Sequence, residues 1–416
     1  MKRAPSLGAI FLTVMLDLLG FGLVIPFLPK EVRDNFHTTP FVATLVGSCY
    51  SLMQFLFVPV WGALSDRIGR RPVLVWSVGA SAVTMASLGL ALMFQPGLGW
   101  IFAARLASGI ATANLGTASA YIADITAPKD RARGLGLIGM AFGLGFILGP
   151  VVGGILSHRF PLNGHTGPMP CFVAAGLAAV NFFWVLFGIP ESLPKERRAE
   201  ITTKRSFVPL NLSSMKRAFS FPGVTRAVIV YFLVILSFTN LEQTFAFFTF
   251  DEFHVDQEKT GYVLFFSGLV AAIVQGGFMR RLTRRFVESS LIRAGVALQS
   301  VAFLLYAASP EFGYSFLFLP ASILAVGNGM TQPTVSAFVS KAAPVSEQGT
   351  ALSTNQSAGS LARALGPLFA GGIYQTFGHR APFLVAAFGM AVAVVIALGL
   401  HSPPHEPATP PEPAES

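Results

Sequence analysis

The stretch Gly62-Ala-Leu-Ser-Asp-Arg-Ile-Gly-Arg-Arg71 decides how this chain of 416 residues folds. It places one carboxylate and three guanidiniums close together, directly between two long apolar runs. Charged side chains are costly in the hydrocarbon of a bilayer, whereas a run of about 20 apolar residues has the length of a membrane-spanning helix. The stretch therefore predicts a short loop that joins two transmembrane helices.

Composition extends this prediction to the whole chain. Hydrophobic residues make up 53% and charged residues only 12%, a balance that favours a membrane protein over a soluble one of this length. The formal net charge is +9, but the basic residues fall in short clusters between apolar runs, which is typical of topology signals and argues against nucleic-acid binding. Met1 to Leu7 lacks a signal-peptide cleavage site, so we expect the first run to be a retained helix.

Enzyme chemistry has no candidate site in the sequence. Cys49 and Cys171 lie in or beside apolar runs and form neither a disulfide framework nor a metal cluster. The seven histidines fall in loops, at run ends or in the tail, and no Ser, His and Asp set gathers in one segment. We expect no enzyme activity, no metal and no cofactor.

Apolar runs long enough to span a bilayer occur twelve times, so we predict an all-α membrane protein with twelve transmembrane helices. The runs start near Leu7, Phe41, Pro72, Leu98, Arg133, Met169, Pro222, Thr260, Ser289, Gly313, Gln348 and Arg380.

Orientation follows from the basic residues, because cytoplasmic loops collect Lys and Arg. With the N-terminus inside, most of the 29 Lys and Arg residues fall on inner segments. The outer loops carry only Lys30, Arg33, Arg159, Lys259 and Arg380. Both termini are therefore predicted to be cytoplasmic.

An internal repeat organises the runs. The opening stretch has a degraded copy, Gly276-Gly-Phe-Met-Arg-Arg-Leu-Thr-Arg-Arg285, 214 positions later, and Gly149-Pro150 recurs as Gly366-Pro367 at an offset of 217. A nearly common offset indicates a duplicated six-helix unit, with a substrate cavity expected between the halves. The predicted segments are an N-terminal six-helix half at 1–190, a cytoplasmic linker at 191–220, a C-terminal six-helix half at 221–401 and a disordered tail at 402–416.

The opening stretch itself has two interpretations. Asp66 can accept bonds from helix N-termini or Arg side chains, and Arg70 can reach Asp124, which would hold the two halves closed at the inner face. The alternative is a basic loop that only sets topology. The residues of the predicted conformational latch are Gly62, Asp66, Arg67, Gly69, Arg70, Arg71 and Asp124.

Glycine and proline density in the fifth run, and its counterpart in the eleventh, predicts close helix contact with the capacity to bend. Plain packing and a moving interface between halves both remain open. The predicted hinge and packing residues are Gly145, Gly149, Pro150, Gly153, Gly154, Gly366 and Pro367.

Ionisable groups inside apolar runs are the sharpest functional signal. Asp17 and Glu242 each stand in the first run of a half, where a carboxylate could carry a proton or be a structurally paired acid. Arg105 and Arg363 could pair with these acids or bind an anionic substrate. The predicted cavity residues are Arg105, Asn114, Asn240, Gln243, Asn328, Gln332 and Arg363.

The motifs resemble the major facilitator superfamily over nearly the whole chain, through the stretches Gly62 to Arg71 and Gly145 to Gly154. Leu16-Asp17 and Arg105-Leu-Ala-Ser-Gly109 look like bacterial tetracycline efflux proteins of the drug:proton antiporter group, which implies export coupled to inward proton flow. Asn240-Leu-Glu-Gln-Thr is similar to the tetracycline-transporter-like proteins of animals, which implies organic anions as substrates.

One departure separates the chain from the tetracycline efflux proteins, which carry further acids in helices three and nine. Here Pro72 to Phe94 and Leu291 to Ala308 contain no Asp or Glu.

We accordingly predict a monomeric proton-coupled antiporter that exports small organic molecules or drugs by alternating access. Its partners are then the substrate, protons and the lipid bilayer, in a bacterial inner membrane or alternatively a eukaryotic endomembrane. Two alternatives remain: an uptake symporter for a small organic anion, sugar or peptide, and a non-transporting membrane receptor.

Overall fold

The computed structural model describes residues 6–126, 131–193, 212–344 and 347–401. Within these ranges every regular element is helical. The helices are α1 Leu7–Val24, α2 Leu28–Asn35, α3 Pro40–Ile68, α4 Arg70–Phe94, α5 Leu98–Ala111, α6 Leu115–Ile125, α7 Arg131–Arg159, α8 Pro168–Gly188, α9 Leu212–Phe219, α10 Val224–Phe253, α11 Gln257–Ile273, α12 Met279–Arg285, α13 Glu288–Ala308, α14 Phe318–Ala342, α15 Gln348–Phe377 and α16 Ala381–Leu398.

Nine helical segments in the described part of the chain are long and apolar enough to cross a membrane, among them Leu7–Asn35 and Gln257–Arg285. In the second of these, a π-helical turn at Val274–Phe278 joins α11 to α12. Helices begin close to the predicted starts, and a short 3₁₀ turn at Tyr314–Leu317 precedes α14. The chain is a multi-pass integral membrane protein.

The predicted fourth run is broken in the structure. α5 ends at Ala111 and α6 begins at Leu115, with a turn between them. Thr and Asn side chains bond to nearby backbone and so compete with helix continuation, and the Thr112 hydroxyl donates to the Ser108 carbonyl at 2.9 Å. A run of apolar character alone cannot reveal such a break.

Side chains of α3 and α4 bond to the carbonyls released by this break. Trp61 Nε1 donates to the Ile110 carbonyl at 2.6 Å, and Ser77 Oγ donates to the Ala111 carbonyl at 2.5 Å. Gln54 Nε2 lies 3.4 Å from the Thr112 carbonyl. Non-helical backbone at membrane depth is tolerated when the protein supplies such partners.

Glycines hold α1 against α7. A Cβ added at Gly149 would lie 2.5 Å from the carbonyl carbon of Gly22, so only glycine allows this approach. A Cβ added at Gly145 would likewise lie 2.8 Å from the Leu18 carbonyl oxygen. The second part of the chain repeats the contact, because a Cβ on Gly366 would lie 2.8 Å from Thr239 of α10, and both residues stand 217 positions after Gly149 and Gly22.

Two glycine contacts are among those that join the first eight helices to the helices from residue 212 onward. A Cβ at Gly154 of α7 would lie 2.5 Å from the Gln257 carbonyl of α11, and one at Gly371 of α15 would lie 2.7 Å from the Pro40 carbonyl of α3. Gly371 stands 217 positions after Gly154, and Gln257 stands 217 positions after Pro40. The second contact is therefore the counterpart of the first, with the glycine on the other part of the chain. α7 with α11 and α3 with α15 are therefore equivalent interfaces.

The other predicted hinge residues lie at the same interfaces. Gly153 faces the Leu23 backbone of α1, and Pro150 lies beside Gly261 of α11, whose added Cβ would be 2.8 Å from the Pro150 carbonyl. Pro150 and Pro367 both lie inside their helices. These glycines and Pro150 lie in close helix contacts, and a hinge role stays a prediction.

The predicted linker contains one described helix, α9. Arg217 of α9 donates to the Glu347 carboxylate at 2.9 Å, just before α15 begins. This guanidinium holds the pKa of the Glu347 carboxyl below its usual range. Residues 194–211 of the predicted linker and the predicted tail from 402 lie outside the described residues.

Replacement of Gly149 by Ala is expected to destabilise the protein by about 1–3 kcal/mol, because the added methyl group would overlap the α1 backbone. Melting temperature in detergent measures the effect. Gly143→Ala on the same helix is the matched control, since nothing lies within 4 Å of a Cβ there. Equal melting temperatures for the two variants would contradict the close contact.

Candidate functional site

Asp17 lies in the middle of α1 and is bonded by two amide side chains. Asn114 Nδ2 donates to one carboxylate oxygen at 3.0 Å and Asn181 Nδ2 donates to the other at 3.0 Å. Asn114 is a predicted cavity residue, and it lies in the break between α5 and α6. Asn181, on α8, was not predicted, although an Asn inside the apolar run Ala-Ala-Val-Asn-Phe-Phe was a visible signal.

Arg105 of α5 is fully buried, with 0% of its surface exposed. None of its three guanidinium nitrogens has a hydrogen-bond partner within the described residues. Its guanidinium carbon lies 4.1 Å from the ring centre of Tyr50 on α3, a cation–π contact. A buried guanidinium without an anionic partner is rare, because the lost hydration of the charge is not replaced.

Tyr50 connects the charged groups of the site. Its hydroxyl lies 2.7 Å from the Thr112 hydroxyl, at hydrogen-bond distance, beside the helix break. The charges of Arg105, Asp17 and Arg363 all act on this hydroxyl, which brings groups of α1, α5 and α15 to one region. Sequence analysis missed Tyr50 because a tyrosine in an apolar run has no distinguishing pattern.

Glu242 of α10 is the second predicted carboxylate. Its Oε1 atom is buried without a hydrogen-bond partner in the described part of the chain. The charge of Arg363, from α15, acts on this carboxylate from beyond ion-pair distance. Arg363 itself donates to Ser360 at 3.3 Å, one turn away on its own helix.

The two carboxylates lie at different depths. α1 begins at Leu7 and α10 begins 217 positions later at Val224, so Glu242 corresponds to position 25 of the first copy. It is eight residues farther along its helix than Asp17, about 12 Å at the helical rise. By this repeat, Glu242 lies closer than Asp17 to the end of the molecule that carries Arg33.

The remaining predicted cavity residues divide into two groups. Asn240 donates to the Pro382 carbonyl at 3.1 Å, while its own Oδ1 and the Oε1 of Gln243 are buried without a partner among the described residues. Gln332 donates to Asn328 at 2.9 Å within α14. In the described part of the chain α10 thus presents unbonded acceptors beside Glu242, whereas the α14 residues bond to each other.

The predicted latch residues form a cluster that we call the Arg70 end. Arg70 pairs with Asp66 at 2.6 Å and with Asp124 at 3.2 Å. Glu191 accepts the backbone N–H of Arg70 at 2.9 Å, and Arg71 donates to the Leu186 carbonyl at 2.5 Å. These bonds join α3, α4 and α6 to the chain after α8, all within the first 193 residues.

One glycine of the latch, Gly69, forms its turn. Gly69 adopts φ 109°, a conformation that favours glycine, between α3 and α4. Gly62 has open space beside it, and Arg67 adds a further cation near Asp66. Closure of the two halves by this cluster stays a prediction.

A second ionic cluster, the Arg33 end, joins the two parts of the chain and was not predicted. Arg33 forms two bonds to the Asp251 carboxylate, at 2.6 and 3.0 Å, and Tyr374 donates to the same group at 2.6 Å. Arg159 likewise forms two bonds to Glu258, at 2.9 and 2.7 Å. No local sequence pattern predicts these pairs, because their members are about 100 to 218 positions apart.

Comparison with known proteins gives these helices a family. Residues 10–367 and 291–416 match the family model described as Major Facilitator Superfamily. The chain is 34% identical over 378 residues to the tetracycline resistance protein, class C, of Escherichia coli. The matched region covers 90% of this chain and 91% of that protein.

A human relative combines sequence and structural similarity. The chain is 30% identical over 421 residues to human major facilitator superfamily domain-containing protein 10, covering 90% of this chain and 88% of that protein. The crystal structure of the human organic anion transporter MFSD10 (TETRAN) matches with a TM-score of 0.71 at 28% identity, covering 94% and 98% of the two chains.

Loss of the Arg33–Asp251 pair is expected to loosen the Arg33 end. With Cys49 and Cys171 replaced by Ser, a Thr44→Cys probe reports opening of the α3–α15 contact, because Thr44 is 0% exposed beside Gly371. A doubly bonded charged pair contributes roughly 1.5–3 kcal/mol, so Arg33→Gln is expected to raise the maleimide labelling rate by about tenfold.

Arg380→Gln provides the matched control. It removes an ion pair to Glu311 of 2.8 Å that lies wholly within the second part of the chain. Its labelling rate is expected to equal that of the parent. A rate for Arg33→Gln no higher than that of the control would show that the pair does not hold the two parts together.

Proposed function

The chain belongs to the Major Facilitator Superfamily, and from that premise we propose that it is a proton-coupled antiporter that exports small organic molecules by alternating access. In this proposal twelve transmembrane helices form two six-helix halves, with α1–α8 in the first and α10–α16 in the second. The repeated glycine contacts at an offset of 217 support a duplicated unit.

Alternating access is supported by where the two halves touch. Ion pairs between residues 33 and 251 and between 159 and 258 lie at one end, where α2 and α7 meet α10 and α11. At the opposite end, the bonds of Arg70 run to Asp66 and Asp124 of the same half. This arrangement favours a conformation closed at the Arg33 end and open toward the Arg70 end, which the basic residues assign to the cytoplasm.

The observation that carries the proton-coupling proposal is Glu242 Oε1, a carboxylate oxygen buried in an apolar helix without a bond from the described residues. Ionisable groups are retained in membrane helices mainly for function, because their burial is costly. Arg363 supplies a positive charge that can bind this carboxylate after its proton leaves. Asp17, already bonded by two amides, is the second proton site.

Glu242→Gln is expected to abolish exchange driven by a pH gradient while leaving the substrate site in place. In proteoliposomes with a fluorescent pH indicator, addition of a transported organic compound releases protons from the wild type but not from the variant. Asp17→Asn is expected to act in the same direction, because it too removes a titratable group. The assay requires a compound panel of cationic, neutral and anionic molecules.

Glu311→Gln is the matched control, because it makes the same Glu-to-Gln change at an exposed position. Glu311 is an exposed carboxylate in a 3₁₀ turn with 63% of its side chain accessible, paired only to Arg380 in the described part of the chain. It is expected to behave as wild type. Wild-type proton release by Glu242→Gln would remove this residue from the coupling.

A second candidate function is transport of organic anions, in either direction. Arg105 favours it, because its guanidinium is fully buried and lacks an anionic partner among the described residues. The human relative of known structure is titled an organic anion transporter. In this version the substrate's negative group binds Arg105 beside the Tyr50 ring.

Arg105→Lys and Arg105→Gln distinguish the charge class of the substrate. If the substrate is an anion, its transport falls strongly in Arg105→Gln and partly in Arg105→Lys, because Lys keeps the charge but loses the planar fork of donors. Transport of a cation is expected to survive Arg105→Gln. Equal loss for anionic and cationic compounds would assign Arg105 to folding or coupling and remove the anion proposal.

A further inference from the structure

Four arginines stand together in α12, at the end of the segment Gln257–Arg285. Arg280, Arg281, Arg284 and Arg285 lie within six residues, and all four are exposed. Within the described ranges no ion pair or hydrogen bond from a side chain reaches any of these guanidiniums. Neighbouring like charges repel, so such a cluster favours binding of an anion.

The first copy of the repeat shows what this cluster lacks. The four arginines stand 214 positions after Asp66, Arg67, Arg70 and Arg71. In the first copy, Arg70 is only 6% exposed and is paired with two carboxylates, Asp66 and Asp124. In the second copy, Arg280 replaces the aspartate and Arg284 is exposed, so the internal counter-charge has been lost.

The neighbouring carboxylate is already engaged. Glu288, at the start of α13, forms an ion pair with Lys341 of α14. Lys341 is itself a cation where the first copy carries Asp124, 217 positions earlier. The charge balance of the first copy is therefore reversed here, and no anion among the described residues neutralises the cluster.

The position of the cluster identifies the kind of anion. The segment Gln257–Arg285 is 29 residues long, about 43 Å at the helical rise. Its beginning pairs with Arg159 at the Arg33 end, so its arginines lie at the opposite membrane boundary, where lipid headgroups are. Beside them Phe278 and Phe286 are each 51% exposed, which offers apolar side chains to acyl chains.

We propose that Arg280, Arg281, Arg284 and Arg285 form a binding site for the headgroup phosphate of an anionic phospholipid at the Arg70 end of the second half. The guanidiniums bind the phosphate oxygens by paired N–H donors, and Phe278 and Phe286 contact the acyl region. The proposal does not depend on what the protein transports. It assigns the second copy of the loop to the membrane surface, in contrast to the first copy, which binds its own carboxylates.

Native mass spectrometry of the full chain in detergent tests the site, with dioleoylphosphatidylglycerol and dioleoylphosphatidylcholine as probes. Wild type is expected to retain the anionic lipid about fivefold better than the zwitterionic one, and less at high salt. The quadruple Arg→Gln variant at 280, 281, 284 and 285 is expected to retain both lipids equally. The quadruple Arg→Lys variant keeps the charge and is expected to keep most of the preference.

Controls separate this site from general positive charge and from misfolding. Lys216→Gln/Arg217→Gln removes two exposed basic residues of α9 at the same end and is expected to keep the preference. Melting temperature without added lipid verifies that each variant is folded. Inorganic phosphate is the soluble competitor and is expected to displace the lipid only weakly.

Three results would overturn the proposal. The first is equal retention of the two lipids by wild type. The second is an undiminished preference in a folded Arg→Gln variant. The third is a preference that emerges only after residues 402–416 are removed, since Glu406, Glu412 and Glu415 of that tail would then be the ligands of the arginines.

Discussion

Direct backbone contact between helices at glycine is the constraint on which the rest of the structure depends. Gly149 of α7 packs directly against the Gly22 backbone of α1, and neither position has room for a side chain. This backbone contact fixes the position of α1. Asp17 lies one turn and a half before Gly22, and its bonds to α8 and to the α5–α6 break require α1 to sit at that distance. Close packing therefore determines the surroundings of the first carboxylate.

The same contact, repeated in the second half, leads to a different environment. Thr239 occupies the position of Gly22, and Asn240, Glu242 and Gln243 follow it with buried oxygens that the described residues do not bond. Two contacts of the same kind thus stand beside one carboxylate that is bonded by amides and one whose Oε1 has no bond from the described residues. The two carboxylates are also displaced from one another along the helix axis, so their surroundings differ in both bonding and position.

Much of the fold could be predicted from the sequence, because hydrocarbon requires long apolar runs and the charges between them mark the loops. Asp17, Asn114 and Arg70 could be identified in the same way, since a polar group in or beside an apolar run needs a reason. Tyr50 and the Arg33–Asp251 pair could not. Tyrosine is unremarkable in an apolar run, and a pair separated by 218 positions depends on which helices meet, which local pattern does not encode.

The break between α5 and α6 has an evolutionary consequence. Its released carbonyls are bonded by Gln54 and Trp61 of α3 and Ser77 of α4, while Asn114 within it bonds Asp17 of α1. Three helices, α1, α3 and α4, therefore bond to one irregular turn, and a substitution at any of these side chains leaves a polar group of the turn without its bond. These positions are expected to change together or not at all among relatives, so that a short segment of unwound backbone limits how three separate helices can vary.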